Sequence, residues 1–366
     1  MFPISHQQNQ EKEGLLFQHI WKGEKKMHNN WKDWHWQLTN RISTIEQLEK
    51  YVPIPPQDRD KLKQVIKIQP LSITPYYASL INFDDPDDPI AKMVIPSVKE
   101  LIIKEGEIIN PLDVGNISFS KGFEDKHPYT GMIKLTYFCA TKCRFCARKQ
   151  KTDSYALSKK NLDKAFTILK EKIHIWDILL SGGDPLTLPD KRIKYILTRL
   201  SEIPHIKRIR IATRLPVTLS YRITQKLIDI LINFSKRDIP IYIVTHFNHP
   251  RELTEDVKQA LKKLANAGIV LYNQTVLLKG VNDNPSVLIN ICEQLIQNRV
   301  RPYYIFECAP VVGTSHFRIP PDEADKIISH LNRDTLPGDA RPHYAALTPK
   351  GNLRIRTEIQ RIKNKM

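Results

Sequence analysis

The chain has 366 residues, of which 41% are apolar and 26% are charged. This length and apolar content exclude a wholly disordered chain, and they predict either two domains or one α/β barrel with an extension. No run of about 18 apolar residues is present, so the sequence predicts no membrane span. Residues 1–24 lack the apolar segment of a secretory signal, and we therefore expect a soluble cytoplasmic protein.

The formal net charge is +17, which raises the hypothesis of a protein that binds or modifies RNA or an acidic protein. Lys and Arg number 56 against 39 Asp and Glu, but they are spread along the chain, which favours a generally basic protein instead. A nucleic-acid partner is therefore not expected. One compact basic run surrounds a group of cysteines: Lys142, Arg144, Arg148, Lys149 and Lys151.

The first part of the chain differs in composition from the rest. Residues 1–28 are polar and are expected to form a mobile N-terminal segment. Residues 29–125 are expected to form an N-terminal helical region. Within it, apolar residues recur at helical spacing from Trp34 to Ile42, and Thr44 is typical of a helix start.

Apolar, β-branched runs alternate with amphipathic helical segments over residues 126–320. The candidate strands are 132–138, 176–181, 208–213, 241–247, 269–278 and 301–306. Such alternation predicts parallel strands with right-handed crossovers. Six units are fewer than the eight of a closed barrel, so we expect a partial (β/α)6 TIM-like barrel whose chemistry lies at the carboxyl ends of its strands. Residues 321–366 remain as a C-terminal segment.

Three of the five cysteines, Cys139, Cys143 and Cys146, follow the first candidate strand with the spacing C-x3-C-x2-C. An odd number of cysteines in a cytoplasmic chain argues against disulfides and for metal binding or catalysis. Short-spaced thiolates are typical of iron–sulfur sites. A zinc site would need a fourth ligand, and the nearest histidines, His127 and His174, lack such spacing. The pattern predicts a [4Fe–4S] cluster in which one iron keeps an open coordination site.

Polar and glycine residues follow the other candidate strands. Ser181, Gly182, Gly183 and Asp184 come after the second strand, where the glycines permit a close backbone approach and Asp184 can accept from an ammonium group. Further along the chain, the candidates at or near strand ends are Arg214, His246 and Gln274.

The cysteine spacing, with Phe145 before the last cysteine, resembles that of the radical S-adenosylmethionine (SAM) superfamily. That resemblance implies that the open iron binds SAM, and that electron transfer cleaves SAM to a 5′-deoxyadenosyl radical that abstracts a substrate hydrogen. It also implies a reducing partner such as flavodoxin or ferredoxin. It assigns Ser181, Gly182, Gly183 and Asp184 to the SAM amino group, and Arg214, His246 and Gln274 are expected to bind the cofactor from their positions at or near strand ends.

Longer blocks resemble a narrower group, the lysine 2,3-aminomutase family. They are residues 31–42, 179–186, 210–217, 245–254, 267–283, 300–304 and 316–318. This resemblance implies an isomerase that acts on an amino acid, with SAM as radical source and pyridoxal phosphate (PLP), held by a lysine near the C-terminus, as carrier of the migrating amino group. Arg148 matches the family arginine that pairs with the substrate carboxylate, for which a bidentate guanidinium is suited.

Departures from the family pattern concern the substrate and PLP. Ala309 and Leu347 stand where lysine-specific members carry aspartates that bind the substrate ammonium. Each lost contact costs about 1.5–3 kcal/mol, so free lysine is expected to be a poor substrate. Arg354 stands in register with the PLP lysine and, being always protonated, cannot form the Schiff base. Lys350, four residues earlier, is the alternative anchor.

The segment that binds the PLP phosphate also differs, since Lys126 and Thr130 replace two family arginines. We therefore expect a radical SAM enzyme whose PLP dependence is lost or remodelled, acting on a less cationic or larger amino-acid-like substrate. The alternative is a PLP-dependent aminomutase for another amino acid that uses Lys350. Cys308 is either a hydrogen-atom donor beside the substrate or a buried structural thiol, and no other catalytic residue is assigned.

Overall fold

The computed structural model describes residues 29–109, 111, 118–149, 156–235, 239–347 and 353–355. The predicted N-terminal segment 1–28 and the candidate anchor Lys350 lie outside the described residues. The strands are β1 (Ser118–Ser120), β2 (Phe123–His127), β3 (Thr130–Thr136), β4 (Asp177–Gly182), β5 (Arg208–Ala212), β6 (Ile241–Thr245), β7 (Val270–Leu277), β8 (Val300–Glu307), β9 (His343–Leu347) and β10 (Leu353–Ile355).

The helices fall into a short N-terminal set and a longer set that alternates with the strands. The first set is α1 (Trp34–Thr39), α2 (Ile45–Leu48), α3 (Pro56–Ile68), α4 (Pro75–Ala78) and α5 (Pro89–Val94). The second set is α6 (Lys159–Glu171), α7 (Asp190–Ser201), α8 (Leu215–Thr218), α9 (Gln225–Ser235), α10 (Glu255–Asn266), α11 (Pro285–Gln297) and α12 (Pro321–Ser329). Within the described ranges, no helix is both long and apolar enough to cross a bilayer.

The N-terminal helices are set by their caps. Thr44 caps α2 in a capping box with Gln47, which confirms the predicted helix start. The prediction that Trp34 to Ile42 form one helix was wrong, because α1 ends at Thr39. Ile42 instead forms an isolated antiparallel bridge with Ile73.

All ten strands form one sheet in strict chain order. Strands β3 to β9 are parallel, while the β1–β2–β3 and β9–β10 pairings are antiparallel. The six candidate strands correspond to β3–β8, and the helices between them supply the crossovers, which confirms the partial TIM-like barrel. The structure adds β9 as a seventh parallel strand. The domain boundary expected between residues 125 and 126 falls inside β2.

The two faces of the sheet differ in what they contact. Leu135, Leu180 and Ile211 line a small apolar space against Ile193 of α7, so these side chains point toward the helices. Because side chains alternate along a strand, residues one position away, such as Ser181, point to the interior of the partial barrel. The first strand ends at Thr136, not at Phe138 as expected, so two residues separate β3 from the first cysteine.

Candidate active site

The cysteine loop, residues 139–146, follows β3 at the carboxyl end of the parallel strands, as predicted. Its thiols are free and partly exposed. A segment of the N-terminal region, residues 69–74, runs alongside this loop. The backbone N–H of Lys142 donates to the carbonyl of Ser72 (2.9 Å), and the Ser72 hydroxyl donates to the carbonyl of Ala140 (2.7 Å). The N-terminal region therefore fixes the backbone of the loop.

A buried carboxylate, Glu100, anchors the far side of the loop. Arg144 donates to it from Nε (2.9 Å) and from Nη2 (2.6 Å), and Lys149 donates to it from Nζ. Burial lowers the pKa of Lys149 to about 8. Burial would raise the pKa of Glu100, but Arg144 and Lys149 together hold it below its ordinary value. Arg144 and Lys149, two members of the compact basic run, therefore have a structural role. Lys151, another member, lies outside the described residues.

The cysteine sulfurs have donors and cations beside them. Arg214 donates from Nη1 to Cys143 Sγ (2.7 Å), and the backbone N–H of Arg148 donates to Cys146 Sγ (3.4 Å). Burial raises the pKa of the Cys139 and Cys143 thiols, so the bare chain favours their neutral forms. Metal ligation requires thiolates, whose charge these neighbouring donors stabilise. The residues present therefore fit an anionic iron–sulfur cluster.

The zinc alternative does not fit the fold. His127 pairs with Thr130 at the start of β3, and His174 precedes the start of β4, whereas the cysteine loop follows the end of β3. Neither histidine is a fourth ligand for the three cysteines. Across the described ranges, no three His, Cys, Asp or Glu side chains converge on a single-ion position. A cubane cluster needs no such convergence, because each of the three thiolates binds a different iron.

Gly182 and Gly183 bring the end of β4 against the end of β3. Gly182 has φ of +113°, and a Cβ atom there would lie 2.2 Å from the Thr136 carbonyl oxygen. A Cβ atom on Gly183 would lie 2.4 Å from the carbonyl oxygen of Phe138. The close approach predicted for these glycines is therefore made to the backbone that leads into the cysteine loop.

Asp184 joins the second strand end to the third. Its carboxylate accepts from the Thr213 hydroxyl (2.6 Å), from the Arg214 backbone N–H (2.7 Å) and from the Leu186 backbone N–H (3.1 Å). Burial raises the pKa of Asp184 to about 6. Ser181, also predicted for SAM, is buried near the end of β4. The structure thus gives Asp184 a positioning role, and its contact with an ammonium group stays a prediction.

Several side chains in the described part of the chain have a buried nitrogen without a hydrogen-bond partner, and three of them lie at this site: His246, Arg148 and Arg214 (Nε). His246 directly follows β6, and its Nε2 atom is buried and unpaired. Burial lowers the pKa of His246 to about 3, so its imidazole is neutral at neutral pH. The Nε atom of Arg148 is likewise unpaired, while Nη1 and Nη2 reach Gly182 O and Met132 Sδ (both 3.5 Å). A buried donor without a partner is costly, and an anionic or polar ligand would satisfy it.

The remaining predicted residues lie on the last strands. Gln274 is half-buried in β7, in register with Tyr304 of β8. Cys308 and Ala309 directly follow β8, and burial raises the pKa of the Cys308 thiol to about 12. Leu347 ends β9, which places its backbone at the same edge of the sheet.

Sequence reasoning missed three residues that hold the site. Glu100 anchors the cysteine loop, and Glu252 and Tyr77 contact Arg214. Glu252 lies inside one of the resemblance blocks, residues 245–254, which was the available signal. Tyr77 and Glu100 carried none, because their partners are distant in sequence.

Comparison with known proteins agrees with this geometry. The sequence model of the Radical SAM superfamily matches residues 133–289. The L-lysine 2,3-aminomutase of Acetoanaerobium sticklandii is 40% identical over 325 residues, which cover 88% of this chain and 77% of that relative. The glutamate 2,3-aminomutase of Clostridioides difficile is 38% identical over 325 residues, covering 88% and 75%.

Among solved structures, a radical SAM methyltransferase from Sphaerobacter thermophilus aligns with a TM-score of 0.44 at 14% identity, covering 63% of this chain and 73% of that one. Membership of the radical SAM superfamily implies a [4Fe–4S] cluster and SAM as cofactors. With 40% identity over most of both sequences, the chain is an enzyme of the lysine 2,3-aminomutase family in the radical SAM superfamily.

Proposed function

We propose that this enzyme abstracts a hydrogen atom from an amino-acid-like substrate other than free lysine, and that it does so without PLP. One observation supports the proposal most strongly. At the carboxyl ends of the parallel strands, three free cysteines lie beside Arg214, Arg148 and the unpaired nitrogen of His246. When bound, the cluster supplies the electron that cleaves SAM reductively.

The chain's own residues supply binding and orientation. The Arg148 guanidinium contacts Gly182 at the end of β4 and Met132 of β3, and its Nε keeps an unpaired donor for a substrate carboxylate. The neutral imidazole of His246 offers a single donor or acceptor without adding charge to the site. Because water is excluded from these buried atoms, their hydrogen bonds to a ligand are strengthened.

The substrate preference follows from Ala309, the second residue after β8. Ala309 offers no charge at the position where a carboxylate would hold a substrate ammonium, so lysine would leave its ε-ammonium unpaired. An unpaired buried charge is costly. The short, uncharged side chain of Ala309 also leaves more room at this position than a carboxylate side chain would. These features support a less cationic or bulkier amino-acid-like substrate.

The proposal that PLP is not used rests on the cations near the site. The three buried lysines in or near the cysteine loop are already engaged: Lys134 pairs with Glu124, Lys149 pairs with Glu100, and Lys142 donates to the Tyr137 carbonyl (3.2 Å). Thr130, which replaces a phosphate-binding arginine of the family, donates instead to Asp177 (2.8 Å). The described residues at these positions therefore do not fit a lysine-anchored cofactor with a phosphate.

A second candidate is a PLP-dependent 2,3-aminomutase for another amino acid, with Lys350 as the anchor. The 38–40% identity to lysine and glutamate 2,3-aminomutases favours it. The two candidates share the cluster and SAM and differ only in the carrier of the amino group.

The substrate proposal predicts isotope transfer. With anaerobically reconstituted protein, SAM and a reductant, deuterium from a labelled amino acid other than lysine is expected in 5′-deoxyadenosine. Arg148→Gln should lower this transfer by about 10- to 100-fold, since a charge-assisted contact contributes about 1.5–3 kcal/mol. Arg199→Gln, a change on the outer surface of α7, is the control and should leave it unchanged. Transfer from lysine alone would contradict the proposal.

The cofactor proposal predicts a spectrum without PLP. Protein produced with PLP in excess is expected to show no visible band that borohydride abolishes, because the buried lysines in and near the cysteine loop are held by other groups. The measurement is an absorption spectrum before and after borohydride, on wild type and Lys350→Ala. A borohydride-sensitive band in wild type that Lys350→Ala removes would establish the second candidate instead.

A further inference from the structure

A buried network connects the middle cysteine to the N-terminal helices. The Arg214 guanidinium donates from Nη1 to Cys143 Sγ (2.7 Å), and from Nη2 to both Glu252 Oε1 (2.7 Å) and Tyr77 Oη (2.8 Å). Its side chain is only 8% exposed. One planar cation therefore contacts a cysteine sulfur on one edge and a carboxylate with a phenol on the other.

Glu252 is fixed by donors on both of its oxygens. Oε1 accepts from the Tyr77 hydroxyl (2.7 Å) as well as from Arg214, and Oε2 accepts from the backbone N–H groups of Asn248 (2.6 Å) and His249 (3.0 Å). The side chain is fully buried. A buried carboxylate with this many donors has one preferred position, so it determines where the guanidinium lies.

Tyr77 is fixed independently of Arg214. It lies in α4, whose cap Thr74 donates from its hydroxyl to the Thr218 carbonyl (2.6 Å) and accepts on its own side chain from the Tyr77 N–H (3.2 Å). The Thr74 backbone N–H donates to the Thr141 hydroxyl of the cysteine loop (3.2 Å). The same short helix thus holds both the loop and the phenol that contacts Arg214.

We propose that Tyr77 and Glu252 are positioning residues that hold Arg214 against Cys143, and that this contact raises the reduction potential of the cluster. The inference rests on the proposed function, because it requires a cluster on these cysteines. Hydrogen bonds to cluster sulfurs and burial are the means by which proteins adjust such potentials. Reduction adds one negative charge to the cluster, and a charge-assisted N–H···S bond stabilises that charge. The contact therefore makes the cluster easier for a reductant to reduce.

Two variants test the contact with the net charge of the site unchanged. Arg214→Lys keeps the cation but offers a single ammonium, which will pair with Glu252 and leave Cys143 Sγ without its donor. At a fixed ambient potential we expect the oxidised-to-reduced ratio of the cluster to rise about tenfold, which is 59 mV for one electron. Tyr77→Phe removes one donor from Glu252 and one acceptor from Arg214, and a rise of about threefold is expected.

The matched control is Tyr76→Phe, which removes a hydroxyl from the neighbouring residue of α4. The Tyr76 hydroxyl bonds Thr254 (2.6 Å) and has no contact with Arg214 or Cys143, so the potential should equal that of wild type. The measurement is an anaerobic redox titration followed by electron paramagnetic resonance, with iron content and thermal melting recorded for each protein. Wild-type protein that binds no iron would refute the proposed function. Four irons per chain with identical potentials in all four proteins would overturn this inference alone.

Discussion

Replacing Cys139, Cys143 or Cys146 with alanine is expected to leave the chain without iron. Anaerobic reconstitution of wild type should give about four irons per chain, because three thiolates hold a cubane cluster. Each of these cysteines is at the carboxyl end of β3, and their loop is fixed by the 69–74 segment. Losing one thiolate leaves an iron without protein ligation, and the cluster is expected to be lost. Iron analysis and the visible absorption of the brown cluster measure the result.

The other two cysteines provide the control. Cys292 is buried in α11 and Cys308 follows β8, and neither lies in the cysteine loop. Alanine at either position should leave about four irons per chain. If Cys292→Ala or Cys308→Ala lost the cluster as completely as Cys143→Ala, the assignment of its ligands would be wrong.

The largest effect on stability is expected from Glu100→Gln. The variant leaves Arg144 and Lys149 buried without their carboxylate, since both side chains are 1% exposed. Removing one partner of a buried ion pair costs about 3–5 kcal/mol of unfolding free energy. Because the pKa of Glu100 in the folded state lies below that of the unfolded chain, its contribution is complete above the ordinary carboxyl pKa and is lost as pH falls through the lowered value.

Urea unfolding at neutral pH measures this effect. Asp163→Asn is the control, since Asp163 also contacts two cations, Lys159 (2.8 Å) and Arg199 (3.5 Å), but is one-third exposed. Exposed ion pairs contribute little, so this variant should unfold close to wild type. Equal urea midpoints for Glu100→Gln and Asp163→Asn would show that the buried triad does not stabilise the fold.

Local sequence patterns predicted the sheet because apolar, β-branched runs and their alternation with amphipathic helical segments are themselves local. The same rule placed the cysteines, Gly182, Asp184 and His246 at one edge, because parallel strands share their carboxyl ends. It could not show what Asp184 contacts, since Thr213 and Arg214 belong to another strand. The predicted end of β3 was also wrong, because the last residue of β3 that pairs with β4 is Thr136.

Contacts between distant segments were beyond sequence reasoning. Arg214 was selected for its position after a strand, but its partners Tyr77 and Glu252 are separated from it by 137 and 38 residues. Glu100 is 44 residues from Arg144. No periodic pattern connects such pairs. Packing of the N-terminal region on the barrel brings Tyr77 to Arg214 and Glu100 to Arg144, whereas the pairing of β5 with β6 brings Glu252 to Arg214.

The strict chain order of the ten strands bears on how the protein is synthesised. Each strand pairs with the one that precedes it in the chain. A new strand can therefore join the sheet once the single connection before it has folded back, and no longer loop has to close. The residues that anchor the cysteine loop and Arg214, from Ser72 to Glu252, all precede β7 in the chain. A nascent polypeptide that has left the ribosome as far as α10 therefore already carries every side chain of that anchoring set, before β7, β8 and β9 are synthesised.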